Sequence, residues 1–304
     1  MIKALCHRRF EEDREYYSLH WAVTNNCNYK CDYCGVWKKE KIYPFENIIE
    51  YINFIGETNH VDTVLFGGEP LVHPNILQIV GELQTDIRIC TNLSRNVGFL
   101  RDMTRINNDI TWVISFHYAK DDLAELFDKL MHLVQFSRFV KVKVMWDSRF
   151  KEECKKVYQF LWPLEKQYDF KVYLDMVYHE ICHFLDEDIK FFERIQNDNR
   201  FLVWGDRGKI YTSYNEIRRE FNGFPNFYGW KCYTGPKGLF IDSNGSVYRC
   251  QTKRNKGKQI FNVNTDDFTK YLTILQEHIY CDEDDFCHEV VIPRRKDGNI
   301  RSRS

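Results

Sequence analysis

The chain has 304 residues, 43% of them hydrophobic, enough for one large α/β domain and a small appendage. Lys and Arg (43) nearly balance Asp and Glu (44), which leaves no global field to draw nucleic acid or an anionic membrane as the main partner. No apolar run approaches the ~18–20 residues of a bilayer span. Residues Met1 to Glu15 are charged and lack a signal peptide's apolar core, so the expected location is cytoplasmic. Eleven cysteines should stay reduced there, and clustered ones point to metal ligation rather than disulfides.

Along the chain, Tyr17–Thr24 reads as a strand, followed by a cysteine-rich loop. Phe45, Ile48, Ile49, Ile52 and Ile55 mark one face of a helix. Val61–Phe66 is a short apolar strand ending in Gly67-Gly68-Glu69-Pro70, and Pro74–Leu83 reads as a helix. Strands follow at Asp86–Thr91, Ile110–Phe116, Phe139–Trp146 and Phe170–Val177. Helices separate them at Val97–Asn107, Leu123–Val134 and Glu152–Trp162, the last broken near Pro163. Six alternations predict a parallel sheet with crossover helices, open or closed into a barrel. Chemistry in such sheets sits at the carboxyl ends of the strands. After Tyr178 the rhythm stops. Asp186–Gln196 and Asp266–His278 read as helices, and Asp242-Ser243-Asn244-Gly245 as a hairpin turn between Gly238–Ile241 and Ser246–Arg249. The organisation expected is an extension (1–16), an α/β core (17–177), a second, smaller domain (178–292) and a basic, flexible tail (293–304).

Cys27, Cys31 and Cys34 form a C-x3-C-x2-C run directly after the first strand. Three thiolates on a tight loop can hold three irons of a [4Fe–4S] cluster, leaving the fourth iron open. Spacing alone leaves open, as the lesser alternative, a zinc site completed by His20 or a distant cysteine, and hence a zinc-stabilised binding module with no enzymatic activity. Gly67-Gly68-Glu69-Pro70 ends the second strand, where flexible backbone and a carboxylate could hold an ammonium group.

Both motifs, in this order and at these strand ends, resemble the radical S-adenosylmethionine (SAM) superfamily over roughly residues 17–177. The resemblance implies a partial (β/α)6 barrel, a cluster held by Cys27, Cys31 and Cys34, and SAM on the open iron. Reductive cleavage of SAM then yields a 5′-deoxyadenosyl radical that takes hydrogen from a substrate carbon. Gly67, Gly68 and Glu69 would contact the methionine moiety of SAM, and Tyr33 would border adenine. Asn92 of the Thr91-Asn92 pair, and Ser115 ahead of Phe116 and His117, match positions that contact SAM. An electron donor such as flavodoxin or ferredoxin is implied as partner.

Cys232, Gly245 and Cys250 resemble the opening of the SPASM/twitch extension of this superfamily. With Cys281 and Cys287 they imply a small C-terminal, cysteine-rich, twitch-like domain holding an auxiliary [4Fe–4S] cluster, with His288 as a substitute ligand. Cys6, Cys90, Cys154 and Cys182 fit no ligand spacing and read as buried or free thiols. His179 and His183 could bind a metal on a helix, though the clusters have sites elsewhere. Asp175 and Tyr178 are the candidate catalytic residues, at or after the sixth strand; Glu180, Trp146 and Asp147 could face substrate similarly. Trp204, Phe227, Tyr228 and Trp230 read as packing aromatics. The resemblance implies oxidation (dehydrogenation) of a small molecule, with the auxiliary cluster as electron acceptor. The alternative is maturation of a ribosomal peptide by cross-link, epimerisation or thioether. About sixteen residues precede the first strand, which favours the small molecule over a peptide that needs its own recognition domain.

Overall fold

Alternation at period two splits each core strand into two unlike faces. The computed structural model describes residues 16–34, 40–177, 231–232, 234–271, 279–281 and 294–295, with scattered positions between 185 and 211. The core elements are β1 (Tyr16–Thr24), α1 (Glu46–Thr58), β2 (His60–Gly67), α2 (Ile76–Glu82), β3 (Asp86–Thr91), α3 (Val97–Ile106), β4 (Ile110–Phe116), α4 (Leu123–Phe136), β5 (Phe139–Trp146), α5 (Lys151–Leu161) and β6 (Phe170–Met176). Adjacent strands from β1 to β6 pair in parallel and in chain order. The α/β reading with a parallel sheet is therefore observed.

One face is apolar. Leu19 and Trp21 of β1, Trp112 and Ile114 of β4, and Val142 and Val144 of β5 pack in a single core with Ile48 and Ile52 of α1, Leu130 of α4 and Leu161 of α5. Each fully buried side chain of this size contributes roughly 1.5–3 kcal/mol. The opposite parity carries polar groups instead: Ser18, His20, Arg88, Cys90, Ser115, Lys141, Lys143 and Asp175. The crossover helices thus cover one face, and the other is free of them.

Local chemistry sets the helix ends. Asn96 accepts from Phe99 N (2.9 Å) and Asp122 from Glu125 N (2.8 Å), as N-cap side chains do. Pro74 lies before α2 rather than in it, because His73 accepts the turn bond from Ile76 N (3.2 Å). Near Pro163 the chain tightens into a 3-10 helix, Trp162–Lys166, with proline in its first turn, where its missing N–H is no loss.

Short antiparallel pairs follow: β7 (Val203–Trp204) with β8 (Ile210–Tyr211), and β9 (Lys231–Cys232), which later receives β13 and β14. β10 (Gly238–Ile241) then pairs in parallel with the free side of β1, from Ser18↔Gly238 to Trp21↔Ile241. β11 (Ser246–Tyr248) turns back antiparallel to it, and β12 (Phe261–Asn262) joins β11. Residues 238–262, within the segment expected as a second domain, extend the core sheet across β1. Gly245 closes the hairpin at φ +84°, and a Cβ there would stand 2.5 Å from Asn264 Nδ2. α6 (Gln251–Asn255) follows β11. The helix expected from Asp266 is a correction in its described part: Asp266 accepts from Asn262 N (2.8 Å), and only Phe268–Tyr271 wind, as a 3-10 turn. The rest of that helix, and most of Asp186–Gln196, lie outside the described residues. β13 (Ile279–Tyr280) and β14 (Arg294–Arg295) flank β9, the latter at the start of the expected basic tail. No described helix is long and apolar enough to cross a membrane.

Candidate functional site

Parallel pairing brings the carboxyl ends of β1 to β6 to one edge, and the cysteine loop leaves from the first of them. Glu40 pins its start. Its carboxylate accepts from Asn25 N (2.6 Å) and Asn25 Nδ2 (2.9 Å), and its backbone bonds the Asn26 amide in both directions (2.9 and 3.0 Å). Arg254 of α6 reaches the same place, donating to Asn25 Oδ1 (3.1 Å) while paired with Asp242 (2.9 Å). From the other side, Gly68 N donates to Thr24 O (2.7 Å) and Glu69 N to Asn26 O (2.8 Å). A Cβ on Gly67, which sits at φ +127°, would stand 2.3 Å from Thr24 O. The two glycines are required by this close backbone approach.

Cys27, Cys31 and Cys34 are all free thiols, Cys31 buried and the other two half-buried. Cys34 N donates to Cys31 O (3.0 Å), and Tyr29 N donates to Cys27 Sγ (3.3 Å). Burial first, and then the nearby Glu69 carboxylate and the neighbouring cysteines, raise the Cys27 thiol against the Tyr29 N–H bond; burial likewise raises Cys31. A bound cation is what lowers such thiols enough to ionise them. Among the described residues no three His, Cys, Asp or Glu side chains close around a single ion. Three free thiols on one loop are the donor set that three corners of a four-iron cube would take. His20 turns to Ser18 Oγ (3.0 Å) and the Phe66 ring on the helix-free face.

Tyr33 stacks on His117 and shares a hydrogen bond with its Nδ1. That nitrogen is 3.8 Å from Cys31 Sγ. Burial lowers the His117 imidazole to about 4, so it is neutral at neutral pH. Asp121, at the approach to α4, accepts from the Tyr29 hydroxyl and from His117 N, tying the cysteine loop to the end of β4. Arg149 ties it to the end of β5, pairing with Asp147 (2.6 Å) and with Asp32 (2.8 Å), which lies between the second and third cysteines.

Glu69 is buried at 1% exposure. Its carboxylate accepts from Leu71 N (3.0 Å), Thr91 Oγ1 (2.6 Å) and Asn92 N (2.6 Å). Burial raises its pKa, against the pull of these donors and of Arg95. Asn92 also donates to Asn28 of the cysteine loop (2.9 Å). A cavity of about 230 Å³ opens here, lined by Asn28, Tyr29, Asn92, Ser115, Asp121 and Lys129 among others. Lys129 is buried in its wall, donating to Leu93 O (2.8 Å) and paired with Glu125 (2.6 Å). Leu93 is the sole described residue other than glycine with positive φ, +55°.

The structure thus sets the cysteines, Tyr33, Gly67, Gly68, Glu69, Asn92 and Ser115 along one edge. Asn92 and Ser115 line the cavity, the glycines pack under the loop, and Tyr33 turns to His117. Asp175 lies on the helix-free face, paired with Lys143 (2.9 Å). Tyr178, His179, Glu180, Cys182, His183, Phe227, Tyr228 and Trp230 lie outside the described residues, as do Cys6, Cys287 and His288. Cys90 and Cys154 are free thiols, Cys154 fully buried in α5. Sequence reasoning missed Glu40, Tyr29, Asp121, Lys129 and Arg254. Only Asp121-Asp122 before α4 carried a signal, that of a helix cap.

Further along, Cys232 Sγ lies 3.2 Å from Thr234 Oγ1, and Arg249 Nη1 donates to Thr234 O (2.8 Å). Cys250 caps α6, its Sγ accepting from Lys253 N (3.5 Å). Ile279 pairs with Cys232 in register, which brings Cys281 near it.

Residues 21–142 match the model of the radical SAM superfamily. The chain is 30% identical over 150 residues to the molybdenum cofactor biosynthesis protein moc-5 of Caenorhabditis elegans, a match covering 43% of this chain and 25% of that protein. It is 27% identical over 154 residues to a GTP 3′,8-cyclase of Staphylococcus haemolyticus, covering 42% and 45%. The chain therefore spans less than half the length of these curated relatives. Among solved structures it is similar to Streptococcus suis SuiB bound to S-adenosylmethionine (13% identity, 86% of this chain and 68% of that one, TM-score 0.45). It is also similar to BtrN in complex with AdoMet and 2-DOIA (13% identity, 90% and 98%, TM-score 0.42).

Proposed function

From the match of residues 21–142 to the radical SAM superfamily, we propose that the chain is a radical SAM enzyme that reductively cleaves SAM and dehydrogenates a small molecule. The observation that carries this reading is the cysteine loop itself. Cys27, Cys31 and Cys34 leave the end of β1 on a loop held by Glu40, the Gly67-Gly68 turn, Asp121 and Arg149.

In this reading the three cysteines hold a [4Fe–4S] cluster, which together with SAM supplies a 5′-deoxyadenosyl radical able to take hydrogen from carbon. This chain's residues do the positioning. Glu69 keeps acceptor capacity beyond its three donors, and its buried charge suits the SAM ammonium group. Asn92 and Ser115, on the cavity wall, offer an amide and a hydroxyl to the adenosine portion. Tyr33 and His117 present stacked rings beside Cys31 that exclude water and border adenine. The helices cover the opposite face, as in a partial (β/α)6 barrel, and leave the polar face to substrate.

Dehydrogenation removes two hydrogens. One leaves the carbon as an atom to the deoxyadenosyl radical; the other leaves as a proton and an electron. Cys232, Cys250, Cys281 and Cys287 are the thiols that would hold an auxiliary [4Fe–4S] cluster as acceptor for that electron, in a twitch-like arrangement. A small redox protein of the flavodoxin or ferredoxin kind is the expected donor for the initial cleavage.

The test is anaerobic reconstitution, iron and sulfide counting, and an assay for 5′-deoxyadenosine with SAM and dithionite. About eight irons per chain with 5′-deoxyadenosine is expected on the two-cluster reading. About four with cleavage removes the auxiliary cluster. A zinc-loaded, iron-free protein that leaves SAM intact removes the enzyme. Replacing Cys27, Cys31 and Cys34 by Ala should abolish cleavage and spare the second cluster.

A further inference from the structure

Cys31 is the buried member of the cysteine triplet, and two side chains meet beside its sulfur. His117 Nδ1 lies 3.8 Å from Cys31 Sγ and shares a hydrogen bond with the Tyr33 hydroxyl. That hydroxyl is also within bonding reach of the sulfur: burial raises the Cys31 thiol, and the bond from Tyr33 is the first influence that lowers it. Cys27, by contrast, takes its bond from a backbone donor, Tyr29 N at 3.3 Å.

His117 is held on three sides. Tyr33 stacks on its ring at an interplanar angle of 16°, Tyr29 meets it edge-on at 86°, and its backbone N–H donates to Asp121. Proton counting then sets the direction of the bonds. A tyrosine hydroxyl has one proton and a neutral imidazole one N–H. A metal-bound cysteine is a thiolate, which only accepts. His117 Nε2 has no partner among the described residues, so no protein group holds the imidazole proton there. With that proton on Nδ1 the chain runs one way: Nδ1–H donates to the Tyr33 oxygen, and the Tyr33 proton is left for Cys31 Sγ. The reverse order spends the hydroxyl proton on Nδ1 and leaves the thiolate without a donor from either group.

We propose that His117 and Tyr33 form a two-bond relay ending on the Cys31 sulfur, and that this relay makes the cluster bound there easier to reduce. The proposal rests on the radical SAM reading of the same site and adds two residues that tune its potential. Hydrogen bonds to ligand sulfurs are among the levers a protein has on a cluster's potential. Reduction places on the cluster one electron, taken from the external donor. The ligand sulfur then becomes a stronger acceptor, so a donor aimed at it stabilises the reduced state more than the oxidised one. No proton leaves the relay.

The experiment uses the anaerobically reconstituted full chain. The reduced cluster is followed by electron paramagnetic resonance while dithionite and mediator dyes poise the potential, with SAM left out. A parallel sample with SAM identifies the signal that SAM perturbs, which separates it from a second cluster. Tyr33→Phe keeps the stacked ring and loses only the hydroxyl. At a fixed potential its ratio of reduced to oxidised cluster should fall about tenfold, a shift of about 59 mV for one electron. His117→Phe should fall in the same direction. His117→Gln, whose amide N–H donates to the Tyr33 oxygen in place of the imidazole, should return toward the wild type. Tyr33→Phe/His117→Phe should fall no further than Tyr33→Phe alone, because His117 acts through the hydroxyl. If Tyr33→Phe keeps its iron and titrates as the wild type does, or if the double variant adds the two single effects, the relay is wrong. If Tyr33→Phe does not hold iron, the two His117 variants decide: a lower potential in the phenylalanine variant than in the glutamine variant supports the relay, and equal potentials overturn it. If the reconstituted wild type gives no signal that SAM perturbs, the radical SAM reading falls and the relay falls with it.

Discussion

A methyl group on Gly68 would stand 2.2 Å from the carbonyl oxygen of Asn26, so the Gly-Gly turn and the root of the cysteine loop are built against each other. The obstacle is backbone, which cannot swing aside as a side chain would. Gly68→Ala should therefore push the loop off the turn and break the bonds from Gly68 N to Thr24 and from Glu69 N to Asn26. A cost of about 1–3 kcal/mol is expected from overpacking alone. Thermal unfolding and iron retention after reconstitution read this directly. An alanine variant with wild-type melting temperature and iron would show that the turn does not set the loop.

Glu69→Gln should hurt twice. The amide oxygen can keep the two donors that share Oε1, Leu71 N and Thr91 Oγ1, but its NH2 group faces Asn92 N, leaving that donor unpaired at about 1–3 kcal/mol. SAM binding should weaken by on the order of 1.5–3 kcal/mol through loss of a charge-assisted bond. The wild-type carboxyl also has a pH signature. Burial raises its folded pKa above the ordinary 4.5, so the unfolded chain loses its proton first as pH rises. From there up to the folded value the native state binds more protons, and stability falls with pH. The glutamine variant should lack that fall; identical slopes in the two proteins would contradict it.

Much of this was legible. Short apolar runs, alternating with helical patterns, marked all six core strands, because one face of each is pressed against helices. Cys27, Cys31, Cys34 and the Gly67–Pro70 turn stood out because their spacing is local. What stayed hidden is non-local. Asp121 meets Tyr29 across 92 residues, and Arg254 meets Asn25 across 229. No periodicity reports such pairs. The parallel pairing of β10 with β1 was hidden for the same reason: Gly238–Ile241 read as half of a hairpin, and nothing local says which edge a hairpin will join. Glu69 and Lys143 carry ordinary residue types whose burial and partners appear only once strands are assembled.

His117 offers a second pH test, of opposite sign. Burial lowers its imidazole from 6.5 to about 4. Between those values the unfolded chain binds the proton and the folded chain does not, so stability is full above about 6.5 and falls as pH drops toward about 4. The difference amounts to about 3 kcal/mol across the window. His117→Gln keeps a hydrogen-bonding side chain beside Tyr33 but cannot titrate. Denaturant unfolding of both proteins at several pH values should show the wild type losing more stability on acidification. Parallel pH profiles would mean that the imidazole is not held neutral by burial.

The Cys232 neighbourhood separates a second cluster from a set of structural thiols. Cys232 is 6% exposed and packs against Thr234, as a small buried hydrophobe would. Cys250 spends its sulfur on the first turn of α6, a weak cap. On the thiol reading, replacing both by Ser keeps the cap and changes little beyond packing. On the cluster reading, it removes two ligands and lowers iron from about eight to about four per chain. SAM cleavage by Cys27, Cys31 and Cys34 should survive, since Arg254 and Glu40 still hold their loop. Product formation from a dehydrogenated substrate should stop, because the second electron has no acceptor. Iron count and 5′-deoxyadenosine, measured on the same Cys232→Ser/Cys250→Ser sample, decide between the two. Unchanged iron removes the auxiliary cluster and leaves the radical site standing; halved iron with intact cleavage assigns the two sites to the two sets of cysteines.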